Sequence, residues 1–306
     1  TNGANVRTLC LAQGIPPAVI DNYVFPTTAT GGRSSGNPLL DPETADTYNL
    51  GLSWTSRASS PVLRGLSASI DYYKIEISEV ISVVPGLSAL TKCYNLDGSN
   101  PGYSLDNEFC QLLNRDANGL LELIELPYLN LGGLQTEGID LQLGWNANLE
   151  ELGFGSGRIF INTGIGYLKK YAVQTLPGSA FQEFQGTNTI AANHTVSNSF
   201  PEWKALTTVG YGRGGATVSV RWRYQNAMAD VTSVTTPATP GVGVGTYNLF
   251  DLFGSYDFND RWQIRLGVTN LTDEDPVTVA SSQTGTDTAV FDVLGRSYYL
   301  GFRMGY

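Results

Sequence analysis

The last eleven residues of the chain, RSYYLGFRMGY (Arg296–Tyr306), show the alternation on which the fold prediction is based. Alternate side chains of a β-strand point to opposite faces. At this period of two residues, one face carries five large apolar side chains: Tyr298, Leu300, Phe302, Met304 and Tyr306. The other face carries Tyr299, Gly301, Arg303 and Gly305. The stretch therefore predicts a strand with one apolar face that runs up to a C-terminal aromatic residue.

The same alternation recurs along most of the chain, in about ten segments of strand length. The clearest are residues 45–56, 139–145, 159–167, 216–226 and 262–269. Residues 62–77 and 120–132 show it less regularly. Short turns, such as Gly214–Gly215, alternate with long polar loops, such as residues 174–199. Strict alternation of short turns with long loops is typical of membrane β-barrels and is not required in a soluble β-sandwich. We therefore predict an all-β, antiparallel transmembrane β-barrel.

Four arginines in these segments lie on the face opposite the apolar residues: Arg221, Arg223, Arg265 and Arg303. An arginine that faces lipid at the middle of a bilayer costs roughly 2–4 kcal/mol. We therefore expect all four side chains to face the barrel interior. There Arg221 and Arg223 are candidate contacts for an anionic ligand, although interior charges also commonly pair with other residues of the protein.

The composition excludes two classes of protein. Of the 306 residues, 15% are charged, and the mean hydropathy is -0.10. No run approaches the roughly 18 consecutive apolar residues of a transmembrane helix. The net charge is -10 and the basic residues are scattered singly, whereas a nucleic-acid surface needs them clustered. We predict neither a helical membrane protein nor a nucleic-acid partner.

Cys93 and Cys110 bound a polar stretch rich in Gly and Asn, and we predict a disulfide between them. Closing a loop of about seventeen residues stabilises a fold by roughly 3 kcal/mol through the unfolded state. The bond implies an oxidising compartment, whereas the alternative is two free thiols in a cytosolic loop. Cys10 is left without a partner, and a cysteine N-terminal to residue 1 would supply one.

The loops hold the remaining candidates for chemistry. Residues 1–44 contain five prolines and no sustained periodicity, which predicts a long surface loop. Phe181 and Phe184 are candidate ligand contacts, with packing between loops as the alternative. His194 is the only histidine, and no cysteine pair or carboxylate cluster at ligand spacing accompanies it. We predict no catalytic residue, no metal site and no cofactor, and we expect that the protein is not an enzyme.

Five segments resemble the C-terminal half of the barrel of TonB-dependent outer-membrane receptors. NPLLDPETADTYNLGLSW (37–54) is similar to the start of one of the family's strands, and IDYYKIEISEVI (70–81) continues the likeness. Residues 114–145 resemble an Arg-Asp turn followed by a strand pair. VTNLTDEDPV (268–277) and LGRSYYLGFRMGY (294–306) resemble the end of the penultimate strand and the terminal strand, and they are the most specific part.

The resemblance spans about residues 37–306. It implies the last ten or so strands of a 22-stranded barrel in the outer membrane of a Gram-negative bacterium. Residues 1–44 would be an extracellular loop region, and residues 45–306 the C-terminal portion of the barrel. The family's N-terminal plug domain is not in this sequence, and the resemblance implies that about twelve strands precede residue 1.

The resemblance also implies a function, in which an outer-membrane receptor binds a scarce nutrient at its extracellular loops and imports it with energy from TonB. The nutrient would be a siderophore, a vitamin or an oligosaccharide. Partners would be the lipid bilayer, the TonB complex acting through the plug, and the barrel assembly machinery, which would recognise the terminal strand. A passive porin-like channel and a soluble β-rich binding or adhesion protein are the alternatives.

Overall fold

The computed structural model describes residues 2–22, 30–189, 196, 198–279 and 285–305. Its helices, numbered α1 to α5 in chain order, are Asn2–Ala12, Pro17–Asp21, Pro61–Arg64, Gly86–Cys93 and Thr232–Thr235. Its strands, numbered β1 to β16, are Gly31–Ser35, Thr44–Thr55, Leu66–Ser78, Ile81–Val83, Leu113–Arg115, Leu121–Asn130, Gly133–Asn148, Arg158–Gln174, Gln182–Glu183, Thr187–Asn188, Trp203–Arg213, Ala216–Gln225, Ala229–Asp230, Tyr247–Asp257, Trp262–Thr269 and Ser297–Met304. None of the helices in these residues has the length and apolar character needed to cross a membrane.

The chain folds into two compact units. The disulfide unit combines Thr1–Ala45, Ile77–Leu134 and Gln174–Phe181. The sheet unit combines Asp46–Glu76, Gln135–Val173 and Gln182–Tyr306. Each unit is thus assembled from stretches that lie far apart in the sequence. The division into a loop region, residues 1–44, and a barrel portion, residues 45–306, stays a prediction.

A ten-stranded sheet forms the framework of the sheet unit. Its strand order is β2-β3-β7-β8-β11-β12-β14-β15-β16, with the short β9 paired to β8. The pairs from β8 to β16 are antiparallel. In the described residues β2 and β16 are the end strands, so the sheet is open. Strands make up 48% of the structure, which confirms the predicted all-β antiparallel class.

The two faces of the sheet carry opposite chemistry, as the sequence predicts. Across β15 and β16, Leu266 lies opposite Leu300, and Gln263 lies opposite Arg303. Residues directly opposite each other in an antiparallel pair share a face, so apolar rows and polar rows alternate along the strands. The predicted terminal strand is therefore β16, and its Tyr306 lies outside the described residues.

In β12 the pattern of burial is the reverse of that in a soluble strand. Val218 and Val220 are 47% and 40% exposed, whereas Ser219 and Arg221 on the other face are half-buried. Transfer of a valine side chain from water into hydrocarbon is favourable. Exposed aliphatic side chains opposite half-buried polar ones are the arrangement expected of strands that lie in lipid.

The disulfide unit has its own apolar core. Cys93 and Cys110 form a disulfide, which confirms the predicted pairing. The other buried side chains of this core are Leu9, Val84, Ala89, Leu113, Ile124, Leu131 and Leu176. Around it, β6 pairs in parallel with β1 and antiparallel with β4 and β5. Cys10 is a free thiol here, and its partner N-terminal to residue 1 stays a prediction.

Two regions differ from the sequence-based expectation. Residues 1–44, predicted to be a loop, contain α1, α2 and β1. A short helix is marginal by itself, and α1 is held by Leu9, which is 1% exposed in the core. Residues 120–132, expected among the barrel strands, form β6 in the separate sheet of the disulfide unit. Their weak alternation agrees with this, because the core buries Ile124 rather than one whole face.

The motif that begins at Asn37 binds the chain to β6 before β2 starts. Asn37 Nδ2 donates to the Tyr128 carbonyl oxygen at 3.1 Å. The backbone N–H of Asp41 donates to Asn130 Oδ1 at 2.8 Å, and Asn130 Nδ2 donates to the Asp41 carbonyl oxygen at 2.7 Å. These side-chain amides satisfy backbone polar groups of Tyr128 and Asp41. The motif therefore has a structural role within the disulfide unit.

Replacing Cys93 and Cys110 with serine should lower the free energy of unfolding of the disulfide unit by about 3 kcal/mol, because the unfolded chain loses a covalent loop. Limited proteolysis with mass spectrometry should then show new cleavage between residues 94 and 109. Cys10→Ser is the control and should leave the cleavage pattern unchanged, since that thiol is free. Equal protection in the double variant and the parent protein would contradict the prediction.

Val220→Arg should impair folding into lipid vesicles, because it places a charge on the exposed apolar face at a cost of roughly 2–4 kcal/mol. The neighbouring Ser219→Arg is the matched control and should fold normally, since residue 219 is on the polar face. The folded fraction is measured from gel migration with and without heating, over a range of urea concentrations. Equal losses for the two variants would show that the faces are assigned incorrectly.

Candidate functional site

The polar face of the sheet unit contains a cavity of about 630 Å³. Strands β7, β8, β11, β12 and β14 contribute to its lining, and residues 288–292 of the loop before β16 complete it. Gly164 and Gly166 of β8 keep side chains out of the space, and a Cβ added at Gly164 would meet no atom within 4 Å. The volume falls within the roughly 300–1,000 Å³ of small-molecule sites.

Two basic and two acidic side chains line the cavity: Asp140, Lys204, Arg223 and Asp292. Arg223 Nη2 donates to Asp251 Oδ1 at 2.9 Å and to Asp292 Oδ2 at 3.2 Å. Asp251 is only 2% exposed and also accepts a hydrogen bond from the backbone N–H of Asn270 at 2.9 Å. A buried carboxylate is stable only when it is paired in this way. The protein itself therefore neutralises the guanidinium charge of Arg223.

The segment of residues 285–295 is anchored across this polar face. Gln225 Nε2 donates to the Val290 carbonyl oxygen at 2.5 Å, and the Phe291 ring packs edge-on against Tyr247 with 5.2 Å between ring centres. Asp287 accepts a hydrogen bond from the backbone N–H of Ser199 at 3.0 Å. These contacts rest on a buried apolar cluster formed by Met228, Val244, Tyr247, Leu249, Val279 and Phe291. The segment is thus a packed wall of the cavity.

The two candidate arginines have different surroundings. Arg223 lines the cavity, as described above. Arg221 places its guanidinium over the ring of Phe253, with 4.7 Å to the ring centre, and it is not among the lining residues. A cation–π contact of this kind stabilises a charge without a ligand. Both charges are thus stabilised within the protein, and the two arginines differ in that only Arg223 lines the cavity, which favours Arg223 over Arg221 as a ligand contact.

The two candidate phenylalanines also differ in their surroundings. Phe184 is fully buried in an apolar cluster with Val196 and Val231, which favours the packing role. Phe181 belongs to the disulfide unit and is 38% exposed. His194 lies outside the described residues.

Sequence reasoning missed Tyr247, Gln225 and Asp251. In β14 the residues Tyr247, Leu249 and Asp251 are buried and the residues between them are not, so all three face the cavity side. An available signal was Asp251 itself, a charged residue in an otherwise apolar and aromatic strand. In the strand register it lies opposite Arg221, next to Arg223 on the same face.

The two most specific motifs meet at the end of β15. Asn270 has a positive φ of 49° and is fully buried. Its side chain donates to the Glu274 carbonyl oxygen and accepts from the Glu274 N–H, both at 2.8 Å. Asp273 accepts a hydrogen bond from the backbone N–H of Arg296 at 3.0 Å. Both motifs therefore connect the last two strands, and none of their residues lines the cavity.

A second polar cluster surrounds Cys10 in the disulfide unit. Tyr94 donates its hydroxyl to Gln13 Oε1 at 2.7 Å, and Arg115 donates to the Tyr94 hydroxyl oxygen. Burial raises the pKa of the Cys10 thiol and that of the Tyr94 hydroxyl. A protonated thiol is a poor nucleophile, so the cluster has the character of packing rather than of a reactive site. The described residues also contain no group of three His, Cys, Asp or Glu side chains that could hold a metal ion.

The model of the family "TonB dependent receptor-like, beta-barrel" matches residues 11–271 of the chain. No curated protein matches the sequence.

Solved structures with a similar fold include three receptors or transporters. A mutant of the ferric enterobactin receptor from Pseudomonas aeruginosa, in complex with enterobactin, has a TM-score of 0.54 and 13% identity over 90% of this chain. The siderophore receptor PirA from Acinetobacter baumannii has a TM-score of 0.52 and 14% identity over 89%. The FrpB iron transporter from Neisseria meningitidis has a TM-score of 0.53 and 12% identity over 89%. The matched parts are 34%, 33% and 32% of those chains, so this chain spans about a third of their length.

Asp251→Ala should destabilise the sheet unit by about 3 kcal/mol, because it removes a fully buried partner of Arg223. Asp292→Ala should cost at most about 1 kcal/mol, because that carboxylate is partly exposed and Asp251 still pairs with Arg223. Urea unfolding in lipid vesicles, followed by tryptophan fluorescence, measures both changes. Equal destabilisation by the two variants would contradict this ranking.

Proposed function

The chain belongs to the family of TonB-dependent receptor-like β-barrels, and from this premise we propose that it is part of an outer-membrane receptor for active nutrient uptake. The receptor binds a scarce nutrient from outside the cell and imports it with energy from TonB. TonB-dependent receptors are transporters and not enzymes.

The observation that carries this proposal is the cavity on the polar face of the sheet. It has the volume of a small-molecule site and lies on the face opposite the exposed apolar residues. Its wall includes residues 288–292, which belong to a long connection between strands. Connections of that length lie on the extracellular side of such barrels, so this position is suited to a ligand that arrives from outside.

The partners of the receptor follow from the same premise. The apolar face contacts the lipid bilayer, and β16 is the strand that the barrel assembly machinery recognises. The TonB complex acts through a plug domain. Among the residues, Arg223 is the proposed ligand contact in the cavity, and Arg221 and Phe181 are weaker candidates. The neighbours that bind enterobactin or siderophores support small-molecule uptake as a class.

Uptake by the complete receptor in bacterial cells tests the proposal. Labelled ferric siderophores, cobalamin and neutral oligosaccharides are offered to cells with and without a functional TonB protein. We expect uptake of one of these classes, and we expect it to stop when TonB is absent. Uptake that continues without TonB would identify a passive porin-like channel instead. A receptor that stays in the aqueous phase on detergent partitioning would identify a soluble binding protein.

A further inference from the structure

We propose that three short turns of the sheet unit form an anchor for anionic phospholipid headgroups, which we call the turn anchor. The turns are residues 56–65 between β2 and β3, residues 149–157 between β7 and β8, and Gly214–Gly215 between β11 and β12. The inference requires the sheet to span a bilayer, as the proposed function does. It goes beyond that function by naming the lipid and the residues that bind it.

The three turns lie side by side at one end of the sheet. Asn146, near the end of β7, donates its backbone N–H to the Gly65 carbonyl oxygen in the first turn at 3.1 Å. Tyr211, near the end of β11, donates its hydroxyl to the Ser156 carbonyl oxygen in the second turn at 3.0 Å. Short turns of membrane barrels lie on the periplasmic side. The turn anchor therefore belongs to the periplasmic surface of the bilayer.

The first two turns expose apolar side chains, although turns in water are usually polar. Val62 and Leu63 of α3 are about half exposed, and Phe154 in the second turn is 79% exposed. Trp145, which lies on the apolar face of β7, donates its indole N–H to the Val62 carbonyl oxygen at 2.7 Å. α3 therefore lies beside the apolar face of the sheet, and its exposed side chains continue the surface that contacts lipid.

Aromatic side chains mark the depth of these turns in the bilayer. Trp54, Tyr211 and Trp262 are exposed and lie close to the strand ends at this end of the sheet. Rings that carry one polar atom lie at the level of the headgroups, where the ring is in an apolar environment and the polar atom is in a wet one. The turns that follow these strand ends are therefore in reach of headgroup phosphates.

Two exposed arginines of the turn anchor are free to bind phosphate. Arg57 and Arg213 form no ion pair in the described part of the chain. Arg213 follows Val209 and Tyr211 at a spacing of two residues, so it ends a row of the apolar face. A long arginine side chain can lie along apolar surface and extend its guanidinium into a polar region. The guanidinium then binds two phosphate oxygens through parallel hydrogen bonds.

The acidic side chains of the turn anchor leave it positively charged. Glu151 pairs with Arg64 and so ties the second turn to the first. Glu150 is the other carboxylate of these turns, which are thus matched by three arginines against two glutamates. The chain as a whole has a net charge of -10, so a positive end stands out from it. A headgroup with a net negative charge, such as phosphatidylglycerol, is therefore favoured over a zwitterionic one.

Lipid binding to the complete receptor tests the inference. The receptor is freed of lipid in detergent and titrated with phosphatidylglycerol or phosphatidylcholine, and native mass spectrometry measures the affinity of each bound lipid. We expect tighter binding of phosphatidylglycerol. Arg57→Gln together with Arg213→Gln should weaken that binding at least fivefold, which corresponds to roughly 1 kcal/mol for one arginine near an anionic surface. The affinity for phosphatidylcholine should change less.

Arg265→Gln together with Arg303→Gln is the matched control. It removes the same charge from the same sheet, but from the polar face, where Arg265 and Arg303 alternate with the apolar residues of β15 and β16. It should leave the affinity for phosphatidylglycerol unchanged. Inorganic phosphate should displace the lipid no better than sodium chloride of equal ionic strength, because it lacks acyl chains for Val62, Leu63 and Phe154 to contact.

A second measurement reports the position of the first turn directly. A spin label is attached to Leu63→Cys in a Cys10→Ser background, and the receptor is reconstituted into vesicles that contain phosphatidylglycerol. We expect relaxation of the label by oxygen, which concentrates in hydrocarbon, to exceed relaxation by a water-soluble nickel chelate. A label at Asp260→Cys, an exposed acidic position in the turn between β14 and β15, is the control and should show the reverse.

Four results would overturn the inference. They are equal affinities for the two lipids, equal weakening by the two pairs of arginine substitutions, specific displacement of the lipid by inorganic phosphate, and preferential relaxation of the label at residue 63 by the nickel chelate. The last result would place the turn in water and assign its apolar residues to a soluble periplasmic protein. The proposed function fails separately, through uptake that is independent of TonB. TonB-dependent uptake without lipid selectivity would retain the function and reject the inference.

Discussion

Hydrocarbon can solvate neither a charge nor an unpaired backbone amide, and this limit accounts for the pairing and the two faces of the strands. Every spanning strand must pair its backbone with neighbours and keep its polar side chains on one face. In β12 this requirement places Val218 and Val220 on the exposed side and Arg221 opposite them. The same parity extends across β15 and β16. The pattern that would signal a buried core in a soluble protein here marks the outer surface.

The constraint has a consequence for the interior face, which must hold charged groups at close quarters. Arg223 is accommodated by two carboxylates, one of them buried beyond the reach of water. Asp251 is in turn fixed by the backbone N–H of Asn270, a residue in the motif that ends β15. The motif and the cavity are therefore linked through one carboxylate.

The disulfide unit solves a different physical problem. Its chain segments form a small core, which supplies limited hydrophobic stabilisation. The Cys93–Cys110 bond adds stability by restricting the unfolded chain, and the amides of Asn37 and Asn130 hydrogen-bond the backbone of Tyr128 and Asp41. Covalent and polar contacts thus hold this unit, whereas backbone pairing across many strands holds the sheet unit.

Features that depend on local period and composition follow from the order of the amino acids alone. The alternation of Leu266, Leu300 and their neighbours specified strands and faces, because each side chain's face follows from its position in the strand. The spacing of Cys93 and Cys110 was sufficient to predict the disulfide. Contacts between residues far apart in the sequence depend instead on how the whole chain folds. Leu9 lies in a helix because its side chain packs in a core formed by residues far away in the sequence. β6 belongs to a separate sheet because its Ile124 packs in the same core. Phe184 is buried and Tyr247 borders a cavity because of segments far away in sequence, and no local pattern encodes such contacts.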